Sequence, residues 1–201
     1  MFEISINHAG LSLGEIEAIN NLFSDYPIYE NTVVNDFEYA SILEIEFVKY
    51  KDIIFFDFIP IEKWSILIEI IKNIKKRRGK KGLRFKIIIS ETERDNYNDN
   101  DDDDEEITSF NKTIFILNHK NDLDFIKGLE RVEITIENLV EIYEFQKLKQ
   151  EQNITDNNAS NKRIQNESEK SLGNIIIFTF NEINRKWIRF TDNKANLKKD
   201  N

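Results

Sequence analysis

"SILEIEFVKYKDIIFFDFIP", Ser41 to Pro60, is the stretch on which the fold turns. Its first half alternates: Leu43, Ile45 and Phe47 fall on one face and Glu44 and Glu46 on the other, the period-two pattern of a strand with one buried side. After a break near Lys49 to Asp52, "DIIFFDFI" is apolar on both faces and reads as a central strand, so the two runs are expected to form an antiparallel hairpin. Pro60 stands where a helix begins, because its missing amide hydrogen is not needed in a first turn.

Upstream, "FEISI" alternates and then gives way to Leu13, Ile16, Ile19, Leu22 and Phe23 at helical spacing, with Ser12 and Glu15 forming a capping box. Downstream, Ile61, Trp64, Leu67, Ile68, Ile71 and Ile74 make one apolar stripe on a helix that ends in a basic run with Gly79 and Gly82 as stop signals. "LRFKIII" follows as a strand. The order βαββαβ predicts an α+β fold in which an antiparallel, ferredoxin-like sheet carries its helices on one face.

The expected organisation is a ferredoxin-like domain over residues 1–90, a disordered acidic loop over 91–110, and a C-terminal α/β extension on the same core over 111–190. In that extension "KTIFILNH" reads as a strand, Asn121 to Leu129 as a short helix, "RVEITI" as a strand, Glu137 to Gln150 as a helix, and "NIIIFTF" with "KWIRF" as a terminal hairpin. Residues 151–171 read as a disordered loop and 191–201 as a disordered tail.

Composition narrows the function classes. The chain has no Cys, which excludes disulfides, thiolate metal sites and a Cys nucleophile. The first twenty residues lack the basic and apolar regions of a signal peptide, and no apolar run approaches the roughly 20 residues of a membrane span, so the cytoplasm is the expected location and a membrane is not an expected partner. The Asn-x-Ser/Thr triplets at Asn111, Asn153, Asn158 and Asn166 then carry no glycosylation message. Net charge is −9, but Glu91 to Glu106 holds ten acids and one Arg; of 37 acids and 28 bases this leaves 27 of each elsewhere. The acidity is therefore local.

The opposite charge is also local. Lys75, Lys76, Arg77, Arg78, Lys80, Lys81 and Arg84 form a ridge of seven bases within ten residues, the candidate surface for an anion or a partner. A helix end accommodates a few such residues for its dipole alone; seven exceed that need. The acidic loop is a second destination for these charges, since a polyanion tethered a few residues from a polycation competes with other anions. Nucleic-acid binding on such a sheet needs exposed aromatics, and the nearest, Phe85, Phe55 and Phe56, read as core.

Catalysis has little support in the sequence. No P-loop, GxGxxG, GxSxG or HExxH is present. His8 and His119 each follow a strand, and an acid/base or metal cluster would need them to converge with Asp57 or Asp122; a metal-dependent nuclease would need His8, Asp57 or the Glu44/Glu46 pair to converge. The acidic run lacks the Gly and ligand spacing of an EF-hand. No cofactor or resident metal is expected. The favoured reading is a non-enzymatic interaction module that binds a protein partner or a second copy through the basic ridge and a sheet edge. The alternative is an RNA- or DNA-binding protein that uses the ridge, with the acidic loop as internal competitor.

Overall fold

The computed structural model describes residues 2–35, 37–92, 110–139 and 175–190. Within them the chain forms a seven-stranded mixed sheet in the order β2-β1-β3-β4-β5-β6-β7. β1 (Glu3–Ala9) leads through α1 (Leu13–Leu22) to its parallel neighbour β2 (Ile28–Thr32). β3 (Ser41–Tyr50) leads through α2 (Phe55–Phe58) and α3 (Ile61–Arg77) to its parallel neighbour β4 (Leu83–Thr92). β5 (Phe110–Leu117) and β6 (Ile175–Asn181) are again parallel neighbours with α4 (Asp122–Glu130) between them in sequence, and β7 (Lys186–Phe190) returns antiparallel on β6. These three parallel pairs meet one another antiparallel, at β1/β3 and at β4/β5.

The ferredoxin-like arrangement is corrected by this topology. A split βαβ unit places a foreign strand between its two parallel strands. Here β1/β2 and β3/β4 are direct hydrogen-bonded neighbours, so the sheet is mixed and not antiparallel. The α+β class holds, with α3 packed between α1 and α4 over the sheet.

Two local differences account for the altered topology. "DIIFFDFI" is not a strand: Phe55–Phe58 is a short helix that buries Phe55 edge-on against Phe47 and Trp64. Buried Lys49 holds this turn by donating to the Ile53 carbonyl at 2.8 Å and to Glu91 at 2.7 Å, while Tyr26 donates to the Phe58 carbonyl at 2.8 Å. An apolar run of this length lacks a period that separates a strand from a buried helical turn. The missing strand is β2, drawn from a segment expected to be a connection; it lies at an edge, mostly exposed, and so carries no hydrophobic alternation.

Farther on, "RVEITI" is helical, residues 132–139, with Val132 and Ile136 buried one turn apart. Its β-branched content favours a strand, but burial on a helical period prevails, as tertiary context does over β propensity. The capping box of Ser12 and Glu15, the α3 stripe, α4 with Asn121 as its N-cap, and the β6/β7 hairpin are as the sequence implies.

A continuous core runs under the helices, from Ile4, Ile6 and Phe23 through Phe47, Trp64 and Ile87 to Phe115, Leu129 and Phe178. Residues on both sides of the acidic stretch therefore share one core. β4 extends to Thr92 and β5 begins at Phe110, paired directly with it. The expected disordered loop and tail at 151–171 and 191–201, most of the acidic loop, and the helix beyond residue 139 lie outside the described residues.

Candidate functional site

The basic ridge separates into internal ties and exposed charge. Lys75 is fully buried, its ammonium donating to the Lys120 carbonyl at 2.9 Å and to Asp122 at 2.6 Å, and lying 5.5 Å from the Phe125 ring centroid. A buried ammonium needs such acceptors, and these join the end of α3 to the start of α4. The Arg78 guanidinium reaches both Glu15 and Ser41, while the Ser41 hydroxyl donates to the Gly10 carbonyl at 2.6 Å. Burial pushes the Glu15 carboxyl up, but the Ser12 amide and the Arg78 guanidinium outweigh it and hold it below the usual carboxylate range.

Arg84 lies over the Tyr39 ring at 6.0 Å, and Lys120 lies over the same ring at 5.5 Å. Lys76, Arg77, Lys80 and Lys81 remain exposed, Arg77 at 3.4 Å from the buried Glu15. Lys75, Arg78 and Arg84 thus have described contacts inside the fold; Lys76, Arg77, Lys80 and Lys81 form an exposed cluster at the α3–β4 turn, within which Arg77 also reaches Glu15. Phe85 and Phe55 are core residues at 1% exposure each, as expected, so neither offers a stacking surface beside the ridge.

The groups considered for catalysis stay apart. His8 lies on β1 and His119 two residues beyond β5, strands that stand three positions apart in the sheet, about 14 Å at ordinary inter-strand spacing. Buried His8 contacts Glu30 at 3.0 Å; His119 lies 4.0 Å from Glu182 with its Nδ1 buried and unpartnered. Asp57 is exposed on α2, where it borders an open groove of about 590 Å³ with Phe2, Tyr26, Asp52, Ile53, Ile54 and Phe58. Glu44 pairs with Lys86 at 2.6 Å, and Glu46 accepts from Ser90 at 2.6 Å and Lys112 at 2.8 Å. Among the described residues no three His, Asp or Glu converge to hold a metal ion, and no helix is long and apolar enough to cross a membrane.

The feature that sequence reading missed is the sheet face turned away from the helices. Its registers define one row across all strands: Tyr29, Ser5, Glu46, Ile88, Ile114, Ile177 and Phe190. The next row runs Asn31, Asn7, Glu44, Lys86, Ile116, Thr179 and Ile188. From β2 to β3 these rows are polar apart from Tyr29; from β4 to β7 the first row is wholly apolar, while the second keeps Lys86 and exposed Thr179 beside Ile116 and Ile188. Ile175, Ile188 and Phe190 are exposed at 63%, 42% and 57%, beside half-buried Ile88, Ile114, Ile116 and Ile177. The signal was present in the apolar residues at both odd and even positions of "KIIIS", "KTIFIL" and "NIIIF", a pattern that equally fits strands covered on both faces. Comparison with protein-family models, curated proteins and solved structures gave no match.

Proposed function

We propose that the chain is a non-enzymatic interaction module that binds a protein partner or a second copy of itself through the open face and free edge of its sheet. The observation that carries this reading is the contiguous apolar row of Ile88, Ile114, Ile177 and Phe190 across β4 to β7, flanked by Ile116, Ile175 and Ile188. Single exposed hydrophobic residues are ordinary on any protein surface, whereas a contiguous patch is the mark of a docking surface. Among the described residues β2 and β7 each have one neighbour only, so they add edge backbone groups of the kind that accept another strand.

Lys76, Arg77, Lys80 and Lys81 serve this module as a flank of positive charge. Charge at a rim steers encounter and raises the on-rate more than it holds the complex. This assigns the ridge a secondary role and makes the sheet the principal surface.

Two measurements test the reading together. Binding of an apolar fluorescent dye to the native chain should fall on Ile175→Asp substitution, with the melting temperature preserved. Fluorescence anisotropy with single- and double-stranded oligonucleotides should show no salt-steep binding, either for the full chain or for one lacking residues 93–109. Phosphate contacts release counterions and weaken steeply with salt, so oligonucleotide binding of that kind would overturn the reading in favour of nucleic acid.

A further inference from the structure

We infer that the two edges of the sheet are complementary to each other, so that β7 of one copy pairs antiparallel with β2 of the next in a head-to-tail array. The inference rests on the self-association part of the reading above and names its geometry. β2, "IYENT", and β7, "KWIRF", are the terminal strands of the sheet and are mostly exposed. Their charges are opposite. β2 carries Glu30 and no base; β7 carries Lys186 and Arg189 and no acid, and among the described residues neither base is in an ion pair.

Charge sets the choice of partner. Pairing β7 with β7 of another copy gathers four bases and no acid along two adjacent strands, and pairing β2 with β2 brings two copies of Glu30 together; like charges on paired strands oppose association. Pairing β7 with β2 of another copy removes both conflicts.

Face and register then agree. β1 and β7 run in opposite senses along one sheet, and β2 is parallel to β1, so an added copy in the same orientation presents β2 antiparallel to β7. Glu30 projects on the helix-covered side, where it reaches His8, and Arg189 pairs with buried Phe178 on that same side. Setting Glu30 opposite Arg189 places Tyr29 opposite Phe190 and Asn31 opposite Ile188 on the open face. Tyr29, at 53% exposure, and Phe190, at 57%, are thereby covered together. The backbone is also available on β2: Pro27 and Val33 bond inward to β1, so the alternate residues Ile28, Glu30 and Thr32 turn their amide and carbonyl groups outward.

Such a contact uses different surfaces on the two copies, so it propagates to an open chain or closes as a ring and does not stop at a two-fold dimer. The experiment is sedimentation velocity of the full chain across a wide concentration range at low salt. The wild type should form species beyond the dimer. Arg189→Glu and Glu30→Arg should each weaken association about tenfold, and an equimolar mixture of the two variants should restore it, because each then meets an opposite charge at both edges.

Circular dichroism melts of each variant exclude unfolding as the cause, a necessary control because Glu30 also contacts His8 and Asn20. If neither charge reversal weakens association, or if the mixture fails to restore it while both variants remain folded, the head-to-tail pairing is wrong and self-association by another surface stands. A wild type that stays monomeric at every concentration overturns the inference alone, leaving the apolar face and its dye response to be judged separately.

Discussion

At the scale of single residues, the tie formed by Arg78, Glu15 and Ser41 shows how a charge that looks available is committed to structure. Glu15 is 5% exposed and Ser41 fully buried, and Arg78 joins the α1 N-terminus to the start of β3 and the end of α3. Removing one partner from a buried pair leaves the other charge uncompensated, so Arg78→Ala should lower the unfolding free energy by about 3 kcal/mol in denaturant titrations. Because the folded Glu15 carboxyl sits below its usual range, its contribution is complete at neutral pH and is lost as pH falls from that range through the depressed value. The stability gap between wild type and Glu15→Gln should therefore narrow on acidification below about pH 4.5; a gap that widens would contradict the assignment.

Gly128 makes a second residue-scale case. A Cβ there would lie 2.5 Å from a Leu117 methyl and 3.0 Å from the Phe180 ring, so its absence lets α4 approach β5 and β6. Gly128→Ala, favourable for an isolated helix, should instead destabilise the protein by about 1–3 kcal/mol in the same titrations.

At the scale of elements, the sequence was most legible where a period meets a buried face. β1, β3, β4, α1 and α3 each bury one stripe, and their residues alternate or recur accordingly. It was least legible where no face is buried, as in β2, or where every residue is apolar, as in α2, since both remove the contrast that a period needs. Together these two misreadings kept the number and order of the strands up to β4 while changing which segments filled them and adding α2 before α3, and the sheet order followed. The ridge was legible as charge, and the signal that Lys75 and Arg78 face inward lay in the stripe before it, since they stand four residues after Ile71 and Ile74 on the same helix face.

The β4/β5 pair carries a prediction of its own. Thr92 and Phe110 are register partners in the ladder, so the chain between them begins and ends at one point of the sheet. Replacing residues 93–109 by a two-residue Asn-Gly turn should keep the melting temperature within about 3 °C, as a change of no more than roughly 1 kcal/mol requires. A much larger drop in a calorimetric melt would show that this segment supports the core.

At the scale of the whole molecule, the helices cover one side of a seven-stranded sheet, and the other side divides into a mainly polar half and a half crossed by the apolar row Ile88, Ile114, Ile177 and Phe190. Charge follows a similar separation, with exposed bases gathered at the α3–β4 turn and opposite signs on the two sheet edges. The proposed binding surface is the sheet, with the exposed bases as its electrostatic flank. Sedimentation velocity across a concentration series tests that most directly, comparing the wild type, an Ile188→Asp variant and a Lys76→Ala/Lys80→Ala/Lys81→Ala variant. The predicted result is an associating wild type, a folded but monomeric Ile188→Asp variant, and a triple variant that still associates. Association abolished by the triple variant and untouched by Ile188→Asp would contradict the account.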